Sequence, residues 1–165
     1  MSLAADNYGN NLRDAHTKVC SYTRCKFSLP SFYDEPTSAF NLSLTAAQNP
    51  PSKYQIALAI NAAHLAKGTF HNRTLWELPA GSGKSRVIAC LAFILLLTGK
   101  AQKIHIVFPN SALMNRDKKD YASYFTTVDP PLTDKVVYHS DLNFSAGAKD
   151  VVIIDEADYF IFEKT

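Results

Sequence analysis

The 165-residue sequence contains few cysteines, few glycines and prolines, and no long hydrophobic run, and each shortage excludes a class of protein. Three cysteines are too few and too unevenly spaced for a disulfide framework or a four-ligand zinc site. Six glycines and eight prolines in a chain that is 47% hydrophobic argue against a disordered or collagen-like protein. The longest apolar run, Ile88–Leu97, is about half of what a bilayer crossing needs, and the N-terminus lacks a signal-peptide pattern. We therefore expect a globular, cytoplasmic protein without a transmembrane segment.

The small net charge of +2 hides an uneven distribution along the chain. Residues 51–128 carry ten basic and three acidic groups, for +7, whereas residues 129–165 carry three basic and eight acidic groups, for −5. Residues 1–50 are neutral, with four groups of each sign. The small net charge argues against a long binding surface for nucleic acid. The basic segment nevertheless suits a polyphosphate ligand, which the acidic segment would approach from another side.

The order of the predicted elements indicates an α/β fold with a parallel sheet. Asn49-Pro50-Pro51 marks a boundary, because a residue before proline resists helix formation. Residues 1–50 therefore read as an irregular or helical N-terminal segment, and residues 51–165 as a domain in which β-branched strands alternate with apolar helices. The predicted elements are helices at Ser52–Gly68, Lys84–Thr98 and Ser111–Phe125, and strands at Thr74–Leu78, Lys103–Phe108, Lys135–His139 and Val151–Ile154.

A glycine-rich segment between a predicted strand and a predicted helix has the composition of a phosphate-binding loop. Gly81 and Gly83 allow backbone N–H groups to turn inward and approach phosphate oxygens. Lys84 supplies a mobile cation, and Ser85 supplies a hydroxyl for magnesium at the positive end of a helix. The general pattern has glycine where this sequence has Leu78, but strand, loop and helix fall where the mechanism requires them. The candidate phosphate contacts are Pro79, Ala80, Gly81, Ser82, Gly83, Lys84 and Ser85.

Two carboxylates follow the last apolar strand, Val151–Ile154, which we expect to be fully buried. Such a strand end places Asp155 and Glu156 beside the phosphate loop. Asp155 can hold magnesium through water, and Glu156 can polarise an attacking water. The alternative is an ordinary exposed acidic turn. Taken together, the loop and the acidic strand end predict a nucleotide-binding site with magnesium, and the resemblance described next implies that the nucleotide is ATP.

At these residues the chain resembles the superfamily-2 motor ATPases, the group of the DEAD-type helicases and the SecA preprotein translocase motor. Residues 155–158 read Asp-Glu-Ala-Asp. Other stretches are more similar to SecA, namely Tyr54-Gln55, Glu77, Leu97–Lys100, Leu113–Asp117 with the aromatics after it, and Tyr159–Glu163. The similarity covers about residues 52–165. It implies a three-layer, RecA-like P-loop domain that is truncated after the acidic strand and works with a second RecA-like lobe in cis or in trans.

The resemblance also implies roles for individual residues. Gln55 would contact the adenine, and Lys84 and Ser85 would contact the phosphates and magnesium. Asp155 would bind the metal, and Glu156 would act as the catalytic base beside Lys84.

For three residues outside the loop and the acidic pair, the sequence leaves a plainer interpretation beside the functional one. Gln55 reads equally well as a surface helix residue. Arg116 and Asp117 read better as part of a solvated helix face than as a functional pair. Asp158 would couple the site to moving parts if the resemblance extends that far.

Three functions are compatible with these features. The first is the ATP-binding lobe of a motor that moves a polymer, with unfolded polypeptide favoured. The second is half of an RNA helicase, for which Arg116, Lys118 and Lys119 offer only a short basic track. The third is a nucleotide-binding scaffold without turnover, which the lack of a coupling motif and of an arginine finger favours.

Overall fold

The computed structural model describes residues 8–23, 44, 47, 49–66 and 73–163. The helices are α1 (Tyr8–Thr23), α2 (Lys53–Leu65), α3 (Lys84–Leu97) and α4 (Ser111–Thr126). The strands are β1 (Ile104–Val107), β2 (Val136–His139) and β3 (Val151–Ile154). A 3₁₀ turn, Thr133–Lys135, precedes β2, and a wide helical turn, Tyr159–Glu163, follows β3.

The three strands form a parallel sheet in the order β2-β1-β3. Ile104 at the start of β1 lies opposite Val136 on one side and Val151 on the other. All four residues of β1 are buried, as expected for the central strand of a parallel sheet. This arrangement confirms the predicted α/β class, and it brings the carboxyl ends of β1 and β3 to one edge of the sheet.

The helices bury their apolar side chains against one another and against the sheet. Helix α2 packs between α1 and α3, and α4 packs against α3 and β2. Phe93 in α3 makes edge-on ring contacts with Tyr124 and Phe125 of α4, with centroids 6.5 and 6.3 Å apart. Each fully buried aromatic of this kind stabilises the fold by roughly 1.5–3 kcal/mol, so the α3–α4 contact holds the phosphate loop firmly at the start of α3.

Most predicted boundaries agree with the structure to within one residue, but three predictions were wrong. Residues 73–79 are irregular rather than a strand, and Leu75 is 83% exposed, because no strand among the described residues pairs with this segment. Helix α2 ends at Leu65, and Lys67-Gly68 lies outside the described residues. Strand β3 is only half buried, with Val152 and Ile154 41% and 40% exposed, because β1 is its one partner in the described sheet.

Of the helices that the structure describes, none combines the length and the apolar character that a membrane crossing requires.

Candidate nucleotide-binding site

The phosphate loop is a tight turn that ends in the first turn of α3. Gly81 and Gly83 both have φ of +78°, in the left-handed region where glycine is favoured, and the Ser82 N–H donates to Pro79 O at 3.1 Å. Gly83 is the N-cap of α3 and provides no capping side chain. The first N–H groups of a helix have no partner inside the helix, so an anion can bind at this end.

Gln55 links the start of α2 to the phosphate loop. Ser52 caps α2, accepting from the Gln55 N–H at 3.2 Å, while Gln55 Oε1 accepts from the Ser52 N–H at 2.8 Å. Gln55 Nε2 donates to Ser82 O at 2.9 Å. The residue is 8% exposed, which excludes the alternative of a surface helix position. An adenine contact would have to use the second hydrogen on Nε2 or the second lone pair on Oε1, and it stays a prediction.

The acidic strand end reaches the loop lysine. Lys84 Nζ lies 2.5 Å from Glu156 Oε1 and 4.0 Å from Asp155 Oδ1. The Asp155 N–H donates to Val107 O at 2.9 Å, which continues the β1–β3 pairing and fixes the carboxylates at that edge. Glu156 has φ of 54°, a conformation that a residue with a side chain seldom adopts. The two carboxylates therefore lie beside the phosphate loop, as the sequence predicted.

The environment raises the pKa of Asp155 above its ordinary value. The main cause is burial, and the charges of Glu156 and Asp117 act in the same direction, while Lys84 opposes them. A buried carboxylate whose ionised form is disfavoured gains from a bound cation. The hydrogen bond to Glu156 in turn raises the pKa of Lys84, so the lysine is cationic at neutral pH.

Asp117 on α4 belongs to the site, although it was predicted to lie on a solvated face. Its side chain is 1% exposed, and it accepts from Ser85 Oγ at 3.0 Å and from the Tyr121 hydroxyl at 3.3 Å, both on Oδ2. Arg116 Nε donates to Oδ1 at 2.7 Å. The prediction was wrong for Asp117 because a carboxylate can be buried when donors surround it. It holds for Arg116, whose side chain is 60% exposed.

A signal for Asp117 was present in the sequence. The residue lies four positions after Leu113 and four before Tyr121, which places all three on the same face of α4. That face packs into the core, because Tyr121, Tyr124 and Phe125 are buried on it. A carboxylate on the apolar face of a helix requires a partner, and the neighbouring helix provides Ser85.

Two cavities flank this arrangement. One of about 340 Å³ is lined by the phosphate loop, Gln55 and the α4 face, including Gly81, Ser85 and Asp117. A second of about 310 Å³ is lined by Glu156, Asp158 and the start of α4 around Asn110. Each is within the size range of small-ligand sites. Pro79 and Ala80 are exposed at the tip of the loop.

The residues fit a magnesium-bound nucleotide. Ser85 and Asp155 offer oxygen ligands, which Mg²⁺ prefers, and Lys84 and the uncapped start of α3 offer positive charge for phosphates. Ser82 Oγ is buried and has no hydrogen-bond partner among the described residues, so it is free to bind a ligand. In the described part of the chain no group of three or more His, Cys, Asp or Glu residues is arranged to hold a metal by itself. The ion would therefore be bound together with the phosphates and water, as Mg²⁺ commonly is.

The parallel sheet and the loop–lysine–carboxylate arrangement define the class of this protein, a RecA-like P-loop domain. The family model described as type III restriction enzyme, res subunit, matches residues 48–141, more than half of the chain, and the chain belongs to that family. The match includes Gln55, the phosphate loop and Asp117 and ends before β3. No curated protein and no solved structure matches the chain.

Membership in this family makes the chain a superfamily-2, helicase-type P-loop ATPase domain, that is, a helicase-like ATP-dependent motor domain. Domains of this family generally use ATP and Mg²⁺. The resemblance to superfamily 2 is thereby confirmed. The closer likeness to SecA, or to the DEAD-type helicases in particular, stays a prediction.

Proposed function

We propose that residues 51–165 form the first, ATP-binding lobe of a helicase-like motor and that residues 1–50 are an N-terminal segment attached to it. The observation that carries the proposal is the contact of Lys84 with Glu156 and Asp155, across the end of the sheet from the loop. In a chain that binds a polyphosphate, this lysine would exchange Glu156 for phosphate oxygens. Residues 79–85 would surround the phosphates with N–H groups and hydroxyls.

The two carboxylates would then have separate tasks. Asp155 and the hydroxyl of Ser85 would bind Mg²⁺, which when present neutralises developing charge on the phosphates. Glu156, released from Lys84, would accept a proton from water on Oε1 as a general base. We infer that efficient hydrolysis needs a second RecA-like lobe, in cis or in trans, to supply an arginine at the transition state. Without that lobe the domain binds nucleotide and turns it over negligibly.

Calorimetric titration with ADP in the presence of Mg²⁺ tests the nucleotide site. Lys84→Ala should weaken binding by about 10- to 100-fold, because a charged hydrogen bond contributes roughly 1.5–3 kcal/mol. The fold should be retained, because the lysine and Glu156 are both partly exposed and such surface ion pairs contribute little to stability. Lys119→Ala, an exposed lysine on α4, is the matched control and should bind like the wild type. Absence of binding by the wild type at millimolar ADP would contradict the proposal.

The polymer that the motor moves is a separate part of the proposal. The SecA-like stretches favour unfolded polypeptide, whereas the family match favours nucleic acid, because its printed description is that of a restriction enzyme subunit. The exposed basic residues of α4, Arg116, Lys118 and Lys119, support the second choice. We therefore propose nucleic acid ahead of polypeptide, with RNA and DNA both to be tried.

Fluorescence anisotropy distinguishes the two polymers. A labelled single-stranded oligonucleotide should bind, and its affinity should fall with added salt, since phosphate contacts release counterions. Replacing Lys119 by Glu should weaken binding at low salt. Binding of a labelled unfolded polypeptide, with none to either RNA or DNA, would instead favour the translocase.

A further inference from the structure

The structure assigns a positioning role to Asp117. We propose that its carboxylate orients and polarises the Ser85 hydroxyl, so that a lone pair of the Ser85 oxygen faces the bound Mg²⁺. The inference rests on the proposed function, because it concerns the same metal-nucleotide site. It adds to that site a residue of α4, whereas the other proposed ligands of the ion lie at the start of α3 and at the end of β3.

The hydrogen-bond inventory of the two side chains carries the argument. A serine hydroxyl has one hydrogen and two lone pairs, whereas an ionised carboxylate can only accept. Ser85 Oγ lies 3.0 Å from Asp117 Oδ2, so the hydroxyl must donate its hydrogen in that direction. The lone pairs of Ser85 then do not face Asp117, and one of them can bind a cation.

The surroundings of Asp117 hold this arrangement in place. Oδ2 also accepts from the Tyr121 hydroxyl at 3.3 Å, and Oδ1 accepts from Arg116 Nε at 2.7 Å. Because three donors surround a side chain that is 1% exposed, the carboxylate has little freedom to rotate. The phosphate loop is thereby locked against α4 before any ligand binds.

The charge of Asp117 adds to this geometric effect. A carboxylate that accepts a hydrogen bond from a metal ligand raises the basicity of that ligand and holds it in one orientation, and removing such an outer partner typically weakens metal affinity by about 10- to 100-fold. Asp117 therefore increases the affinity of the site for a divalent cation through its contact with Ser85, without touching the ion itself.

A plainer role for Asp117 would be to hold α3 and α4 together through Ser85. That role predicts a loss of stability and a general loss of nucleotide affinity when Asp117 is replaced. The positioning role predicts a loss that is larger when Mg²⁺ is present than when it is absent. The informative quantity is thus the magnesium gain, the ratio of the ADP dissociation constants measured in EDTA and in Mg²⁺.

The experiment measures this ratio by calorimetry in the full chain. Asp117→Ala should reduce the magnesium gain by about 10-fold or more, and because the gain is a ratio, any loss of affinity common to EDTA and Mg²⁺ cancels from it. Asp134→Ala is the matched control, because Asp134 is an exposed aspartate in the 3₁₀ turn before β2 and lines neither of the two cavities. It should keep the full magnesium gain.

A double-mutant cycle assigns the effect to the hydroxyl of Ser85. Ser85→Ala should itself lower the magnesium gain, and adding Asp117→Ala should then lower it no further, because the two residues act as a unit. An equal further loss in the double variant would overturn the inference, since Asp117 would then act by another route.

The remaining outcomes are also decisive. Lack of ADP binding by the wild type in either condition would contradict the proposed function, whereas an unchanged magnesium gain in a folded Asp117→Ala protein would overturn only this inference. If the alanine variant does not fold, Asp117→Asn replaces it. Asparagine keeps the shape of the side chain but loses its charge, and its NH₂ group faces a donor where the aspartate had an acceptor. A magnesium gain equal to that of the wild type in Asp117→Asn would likewise overturn the role of Asp117.

Discussion

At Gly83 the phosphate loop leaves no room for a side chain. A Cβ atom there would lie 2.1 Å from Gln55 Nε2, far inside contact distance, and the backbone has φ of +78°. Gly81 has the same φ, but a Cβ atom on it would meet nothing within 4 Å. The two glycines therefore share a backbone requirement and differ in the space around them.

This pair allows the clash to be measured separately from the backbone effect. Gly81→Ala should lower the free energy of unfolding by about 1–2 kcal/mol, the cost of a side chain in the left-handed region. Gly83→Ala should lower it further, because Gln55 must leave Ser82 O and the capping arrangement at Ser52. Urea denaturation of both variants, without nucleotide, gives the difference.

The same comparison in a Gln55→Ala background provides the control. Removing the Gln55 side chain removes the steric conflict, so the two alanine substitutions should then be equally destabilising. If Gly83→Ala remained the more harmful of the two, the conflict would lie with some other part of the loop.

At the scale of secondary-structure elements, the segment that joins β2 to β3 is attached to the sheet by histidines. His105 of β1 is buried, and its Nδ1 lies 2.9 Å from His139 Nε2 of β2. His105 Nε2 lies 3.1 Å from Asp150 Oδ2, just before β3. Phe144 stacks on His139, with ring centroids 3.8 Å apart. This cluster covers the face of the sheet that bears the two histidines.

The cluster predicts a pH dependence of stability. Burial lowers the pKa of His139 below its ordinary value of 6.5, and the nearby His105 acts in the same direction, while Asp141 opposes them. The unfolded chain therefore binds a proton at this residue more readily than the folded chain does. Stability is present in full above about pH 6.5 and is lost as the pH falls toward the lowered pKa. Two protonated rings also cannot share the bond between His105 and His139, since both nitrogens would then donate.

Urea denaturation between pH 7.5 and pH 5, both chosen near the ordinary histidine pKa, measures this slope. His139→Phe should retain the stacking on Phe144 and flatten the slope. Phe144→Leu should lower stability at every pH but keep the slope, because both imidazoles remain. Two further charged groups face the cluster, Lys103 and Asp150. The pKa of Asp150 is lowered by a backbone hydrogen bond from Gly147 and also by His105. The Asp150 contribution is lost only below about pH 3.8, outside the measured range.

At the scale of the whole molecule, apolar surface remains uncovered at the acidic end of the sheet. Val152 and Ile154 on β3 are partly exposed, and Ile161 and Phe162 in the turn after it are 56% and 76% exposed. No described strand pairs with the outer edge of β3. An exposed apolar edge of this kind promotes strand pairing between molecules.

We therefore expect the chain to self-associate as its concentration rises, measurable by sedimentation velocity. Ile154→Lys should reduce the association, because a charged edge residue opposes pairing. Its free energy of unfolding should fall by about 1 kcal/mol, because Ile154 is 40% exposed and the covered part of its side chain contributes to stability. Leu142→Lys, at a side chain that is 49% exposed in the β2–β3 connection, is the matched control and should leave association unchanged. Equal effects of both lysines would indicate a general charge effect instead.

Local patterns in the sequence were enough to predict most of the elements. The α3 helix, the three strands of the sheet and the phosphate loop follow from apolar runs, β-branched residues and paired glycines, because these depend on near neighbours in the chain. The contact between Lys84 and Glu156 agrees with the expectation that the end of Val151–Ile154 lies beside the phosphate loop, although the predicted strand before that loop is not formed.

Other features were decided only when distant segments came together. Residues 73–79 have the composition of a strand, yet a strand exists only through hydrogen bonds to a partner, and the described sheet offers none. Asp117 is of a residue type that usually lies at the surface, yet it is surrounded by Ser85, Tyr121 and Arg116. The amino-acid sequence by itself thus determined helices α2 to α4, the three strands and the residues available to a nucleotide. Tertiary structure decided which polar groups are buried together, because burial and hydrogen-bond partners are properties of the packed chain and not of any segment.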